Sequence, residues 1–139
     1  MLALSSSVAD LAGAALLRSW RSRLRAPVIA APMFLASSVE LVIAQCTGGI
    51  IGTIPALNAR TSAQFGEWLA EITEALAAWD RDHPGQSAAP FGVNLIVHGS
   101  NPRLDEDLAL CVEHKVPLVI SSMGARAEVN KVVQAYGGV

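Results

Sequence analysis

The sequence predicts an α/β fold built on a parallel sheet, and three features predict it. Short apolar runs bounded by proline or glycine recur along the chain, amphipathic stretches of helical spacing separate them, and helix-start signals follow the runs. The resulting order is a leading helix and then strand and helix four times over, with connections that suit right-handed parallel crossovers. Two architectures share this order: a small doubly wound open sheet and the first half of an eight-fold barrel.

At 139 residues the chain is long enough for one domain and not two. Hydrophobic residues make up 52% and charged residues 16%, the latter well below the roughly 25% of ordinary soluble domains, so disorder is excluded. Ten Lys+Arg against twelve Asp+Glu give a net charge of -2. That leaves no basic excess for a nucleic-acid backbone, and no nucleic-acid partner is expected. The longest uncharged run, Leu41 to Ala59, is interrupted by Gln45, Thr47, Gly48, Gly49, Gly52, Pro55 and Asn58. A lipid-facing helix could not leave such breaks unsatisfied, so the run reads as buried strand plus turns and no membrane partner is expected. Asp10 interrupts the first apolar stretch and Arg18, Arg21, Arg23 and Arg25 follow it. A secretory signal carries its charge in front, so the expected compartment is cytoplasmic. Cys46 and Cys111 are too few and too far apart for a disulfide framework or a metal site and read as structural thiols.

Residues 1–26 form the leading helix and its basic flank. Val8, Leu11, Ala12, Ala15, Leu16 and Trp20 share one helical face, Ser7 with Asp10 resembles a capping pair, and the arginines are a solvated flank. The first strand is Pro27-Val28-Ile29-Ala30-Ala31-Pro32-Met33, an apolar run suited to burial on both faces. Ser37 with Glu40 opens a helix that Gly48-Gly49 stops, and Ile50 to Ile54 is the second strand. Thr61 with Gln64 caps the strongest helix, whose stripe is Phe65, Trp68, Leu69, Ile72, Leu76 and Trp79. Phe91 to Val97 is the third strand, with Asn94 set among apolar neighbours. Asn101-Pro102 starts a helix with Leu104, Leu108 and Cys111 on its buried side, Pro117 to Ser122 is the fourth strand, and Val129, Val132, Val133 and Tyr136 mark a last helix.

In a parallel α/β fold ligands sit at the carboxyl ends of the strands. This chain places there Ala31-Pro32-Met33, Thr53-Ile54-Pro55, Asn94 with His98 beyond it, and Ser121-Ser122-Met123-Gly124. The set is small, neutral and lightly polar, with no carboxylate pair, no nucleophile beside a base and no metal cluster, so it suits a flat uncharged ring and leaves the catalytic residues unknown. No dinucleotide fingerprint or P-loop occurs, and Gly48-Gly49 with Gly52 reads as a helix stop plus close packing. His83, His98 and His114 have no partner in the sequence that would make them acids or bases. Asn94 needs hydrogen-bond partners, which backbone or a ligand could equally supply.

Three stretches resemble the nitronate monooxygenase (2-nitropropane dioxygenase-like) family: Pro27 to Met33, Gly48-Gly49-Ile50-Ile51-Gly52-Thr53, and Pro90-Phe91-Gly92-Val93-Asn94-Leu95. Val116 to Met123 fits as a fourth strand, and the likeness runs from Pro27 onward. It does not separate this family from flavin-dependent enoyl-acyl-carrier-protein reductases. The resemblance implies an FMN-dependent (β/α)8 barrel, a flavoprotein oxidoreductase, of which residues 27–139 would be the first four βα units. It further implies that Ala31, Pro32 and Met33 lie against the flavin ring, that Asn94 hydrogen-bonds it, and that Ser121 or Ser122 lines the same mouth. The implied reaction oxidises an alkyl nitronate with dioxygen to a carbonyl compound and nitrite. Half of such a barrel is missing, including the phosphate loops and the histidine near the substrate. The expectation is therefore a fragment, inactive alone, with open sheet edges that invite self-association. A non-catalytic self-associating half-barrel is the alternative from a different class.

Overall fold

The computed structural model describes residues 8–139, with side chains described from residue 14 onward. Among these residues the elements are α1 (Val8–Trp20), α2 (Val39–Thr47), β1 (Gly52–Pro55), α3 (Ser62–Asp82), β2 (Phe91–Ile96), α4 (Leu104–Glu113), β3 (Leu118–Ser122) and α5 (Ala127–Ala135). Short 3-10 turns at Arg21–Arg23 and Ala56–Asn58 follow α1 and β1. The fold is α/β with a parallel open sheet of three strands in the order β1-β2-β3. Gly52 pairs with Phe91 and Pro55 with Asn94, while Gly92 pairs with Leu118 and Ile96 with Ser122. Strands consecutive in the chain are thus neighbours in the sheet, and no reversal of order occurs between β1 and β3.

The first predicted strand is not a strand. Residues 27–33 contribute a single parallel bridge, Ile29 to Ile51, made by Ala30 N–H to the Ile51 carbonyl at 2.8 Å and Ile51 N–H to the Val28 carbonyl at 3.0 Å. The ladder stops on both sides for local reasons: beyond Ala30 the next backbone facing β1 belongs to Pro32, which has no N–H, and before it the Val28 N–H turns back to the Ala26 carbonyl at 2.8 Å. The segment still runs beside β1 as a fourth parallel ribbon, and Thr53 Oγ1 donates to the Ala30 carbonyl at 2.5 Å to hold it there. Other boundaries move less. β1 begins at Gly52 and not at Ile50. Ser38, not Ser37, caps α2 by accepting from Leu41 N–H, and α4 begins at Leu104 after an Asn101 turn in which Asn101 Oδ1 accepts from Arg103 N–H. Thr61 caps α3 as the sequence predicts, accepting from Gln64 N–H at 3.1 Å. The expected Ser7–Asp10 pair lies outside the described residues.

The two faces of the sheet differ. Ile54, Phe91, Val93, Leu95 and Val97 join Val42, Cys46, Phe65, Leu69, Ile72, Leu104 and Cys111 in one core beneath the helices. Because side chains alternate along a strand, Thr53, Gly92, Asn94, Ile96, Leu118, Ile120 and Ser122 face the other way. Every residue of β3 is only partly buried. Helix and sheet meet most tightly at Gly52, where a Cβ would stand 2.7 Å from the Val42 carbonyl oxygen. No larger residue fits there without moving α2 off the sheet.

Candidate functional site

Parallel pairing puts the carboxyl ends of β1, β2, β3 and the Val28–Met33 ribbon along one edge, so the residues named from the sequence can be located against it. Asn94 and Ser122 are brought together. Asn94 Nδ2 donates to the Ile120 carbonyl at 3.0 Å and to Ser122 Oγ. Both protons of the amide are then used, and among the described residues no donor reaches Asn94 Oδ1. Ser122 accepts from Asn94, which leaves its own hydroxyl proton free to donate. One acceptor and one donor therefore stand side by side on a half-exposed sheet face, flanked by Ile96 and Ile120. Ser121 is not part of this pair. It registers with Leu95, a core residue, and so lies on the helix side of the sheet.

Ala31 and Met33 are exposed and Pro32 is half-buried. They sit at the same edge as Asn94, because Pro55, the register partner of Asn94, is followed directly by the turn that holds Met33. That turn contains Asn58, which no local pattern singles out. Asn58 Nδ2 donates to the Met33 carbonyl at 3.1 Å and to the Ser37 carbonyl at 2.8 Å, and Asn58 Oδ1 accepts from Leu35 N–H at 3.1 Å. Buried Ser37 adds a reciprocal pair, its Oγ accepting from Met33 N–H at 2.9 Å and its own N–H donating to the Met33 carbonyl at 3.0 Å. Residues 33–37 are thus a braced turn. Leu35 is held at φ 61, and Phe34 and Leu35 are 67% and 81% exposed. An Asn in a polar turn has no periodic signature, so only the folded chain shows its reach of 25 residues.

His98 lies beyond β2, exposed, with its Nδ1 2.8 Å from Ser100 Oγ and no carboxylate bonded to it among the described residues. Among the described residues of this edge no acid–base pair is formed. Among the described residues no group of three His, Cys, Asp or Glu side chains could hold a metal, and no helix is long and apolar enough to cross a membrane.

Two further polar clusters are present, the first among the helices at the same end of the strands. Arg103 Nη2 meets Asp107 Oδ1 at 3.0 Å, Nη1 donates to the Ala59 carbonyl at 2.8 Å and Nε to Ser62 Oγ at 3.2 Å, joining the end of β1 to α3 and α4. Asp107 is fully buried, and its Oδ2 has no partner among the described residues. At the opposite end of the strands, a cleft of about 360 Å³ is lined by Arg23, Arg25, Thr47, Trp79 and Ser87. Arg23 is not the solvated flank expected of it, since its Nε donates to the Ala88 carbonyl at 2.7 Å. Arg23 and Arg25 line this cleft together with Thr47 at the end of α2 and Trp79 near the end of α3, and the bond to Ala88 gives Arg23 a structural role.

Both thiols are buried and unpaired. Burial pushes Cys46 up to about 11 against the partial opposition of a Gly52 hydrogen bond and the Arg23 charge, and it pushes Cys111 up to about 12 with help from the Asp107 charge. Neither is a thiolate near neutrality, as structural thiols require. Set against protein-family models, curated proteins and solved structures, the chain matches none of them.

Proposed function

We propose that this chain is the amino-terminal half of an FMN-dependent (β/α)8 enzyme that oxidises alkyl nitronates with dioxygen to a carbonyl compound and nitrite, and that it is inactive alone. One observation carries the proposal. Four parallel ribbons follow one another in chain order, as barrel strands do, and bring Ala31, Pro32, Met33, Asn94 and Ser122 to a single edge. A doubly wound sheet would reverse its order at the ligand crevice.

The residues present fit a flat heteroaromatic ring. The free Asn94 Oδ1 and the Ser122 hydroxyl proton match a ring edge on which an N–H adjoins a carbonyl, and Ala31 and Pro32 add uncharged backbone beside it. Bound there, FMN supplies the electron transfer between nitronate and dioxygen. This chain's part is to orient the ring, to keep one side of it dry with Ile96 and Ile120, and to set the ring plane through the braced turn at Met33. The acid–base group and the phosphate loops belong to the second half. The same edge serves an enoyl-acyl-carrier-protein reductase of this fold equally well, and substrate separates the two.

The test is oxygen uptake by the completed barrel. Nitronate-dependent uptake with release of nitrite is the expected result, and reduction of an enoyl thioester without nitronate turnover would support the rival. A yellow, monomeric, nitronate-oxidising protein purified from residues 1–139 alone would overturn the claim that the chain is inactive by itself.

A further inference from the structure

We propose that the cleft at the amino ends of the strands binds the phosphate group of a small, water-soluble phosphomonoester between Arg23 and Arg25. It lies at the other end of the strands from Asn94 and Met33, so it depends neither on the half-barrel nor on the flavin.

Two guanidinium groups line this cleft and neither is spent. Arg81 pairs with Glu74 and Arg103 with Asp107, but among the described residues no carboxylate pairs with Arg23 or Arg25. Arg23 gives away only its Nε, to the Ala88 carbonyl at 2.7 Å, and both its Nη groups remain to donate. Arg25 is positioned by Gly49. Its backbone N–H donates to the Gly49 carbonyl at 2.8 Å, and its stem lies on the Gly49 backbone, where a Cβ would stand 2.6 Å from Arg25 Cγ. Gly49 also has φ 88, so the turn after α2 and the seat of the arginine both require glycine.

The carboxyl ends of helices repel anions, and α2 and α3 both end near this cleft. Their last carbonyls are already taken by backbone. Ala44 accepts from Gly48 N–H, Gln45 from Ile50 N–H, Cys46 from Gly49 N–H and Trp79 from His83 N–H, at 2.9–3.1 Å. That blunts the repulsion and leaves the arginines no capping to do. None of the described lining residues is acidic. Asp80, which is close by, turns its Oδ1 to the Ala88 N–H at 2.6 Å.

The chemistry of the walls names the ligand. A guanidinium fork meets phosphate oxygens two at a time. On the loop after α3, the Gln86 amide and the Ser87 hydroxyl add uncharged donors. At about 360 Å³ the cleft is roomier than a bare phosphate needs and falls at the small end of ligand sites, which favours a small organic ester. Its concave shape suits a free ester over a headgroup held in a lipid surface.

Titration of the whole chain with glycerol 3-phosphate, followed by NMR of the backbone amides, tests this. Saturable shifts are expected at Gly49, Gln86 and Ser87, with none at Asn94 or Ser122. Sodium chloride at the same ionic strength produces no saturable shift. Arg25→Gln, which alters an exposed side chain, raises the dissociation constant about tenfold or more, and Arg23→Gln does the same. Arg126→Gln, at the other end of the strands, leaves it unchanged. A response that never saturates overturns the proposal, as does binding that Arg25→Gln leaves intact. So does binding to vesicles containing phosphatidic acid with no response to the soluble ester, which would make this end a membrane-surface patch.

Discussion

Asn94 reaches across the seam between β2 and β3 to donate to Ser122 Oγ, and the same nitrogen holds the Ile120 carbonyl at 3.0 Å. Asn94→Ala removes both bonds from a half-buried site and is expected to cost about 1–2 kcal/mol in urea unfolding. Ser122→Ala removes one and costs less. In the completed barrel both variants are expected to lower the flavin content measured by visible absorbance, Asn94→Ala the more so. An unchanged flavin content in Asn94→Ala would remove this residue from the site.

The brace at residues 33–37 makes a second expectation. Asn58→Ala deletes three hydrogen bonds to the turn, and the folded chain is expected to lose about 1–3 kcal/mol. Hydrogen exchange at the amides of Met33, Leu35 and Ser37 should speed up while the amides of β2 keep their protection. Asn58→Asp tests the polarity of the contact. It keeps an acceptor for Leu35 but sets a carboxylate against the Met33 and Ser37 carbonyls, and it should be worse than the alanine variant.

The Arg103–Asp107 pair should behave as a buried ion pair does. Arg103→Met alone strands a fully buried carboxylate and is expected to cost about 3–5 kcal/mol. Joining it to Asp107→Leu should restore most of the loss, since the Asp107 oxygen that now lacks a partner disappears with the charge. Urea titrations of the two single variants and the double variant give the coupling directly.

Cys46 and Cys111 predict a pH limit. Burial favours the neutral thiol, so the folded values of about 11 and about 12 lie above the ordinary 9.0. The stability this contributes is complete below pH 9.0 and is lost as pH climbs from there through the folded values. Tyr136, whose hydroxyl donates to the Val116 carbonyl at 2.9 Å, is shifted upward by burial and acts in the same direction. Unfolding midpoints should therefore fall above pH 9. A disulfide reagent at pH 8 should leave both thiols untouched until denaturant is added.

The alternation of apolar runs and capped helices was legible in the sequence because it depends on local spacing. Thr61 and Gln64 mark the start of α3, and the stripe from Phe65 to Leu76 is buried as its period requires. The first ribbon misled for a local reason as well. Its apolar content resembles a strand, but Pro32 denies it the ladder beyond Ala30 and the Val28 N–H turns back to Ala26. At the candidate site, Asn94 stood out as a polar residue in an apolar run, and Ser122 could be separated from Ser121 only by register. Asn58, and the contact between Arg23 and Ala88 across 65 residues, left no trace in local pattern, because what makes them matter is the tertiary path of the chain.

The chain-order sheet also shapes how the protein is made. Each strand can dock on the one synthesised just before it, so structure can build outward as the polypeptide leaves the ribosome, without waiting for a distant segment. The cost is that every stage ends on an unfinished apolar border, open to wrong pairing until the next ribbon docks.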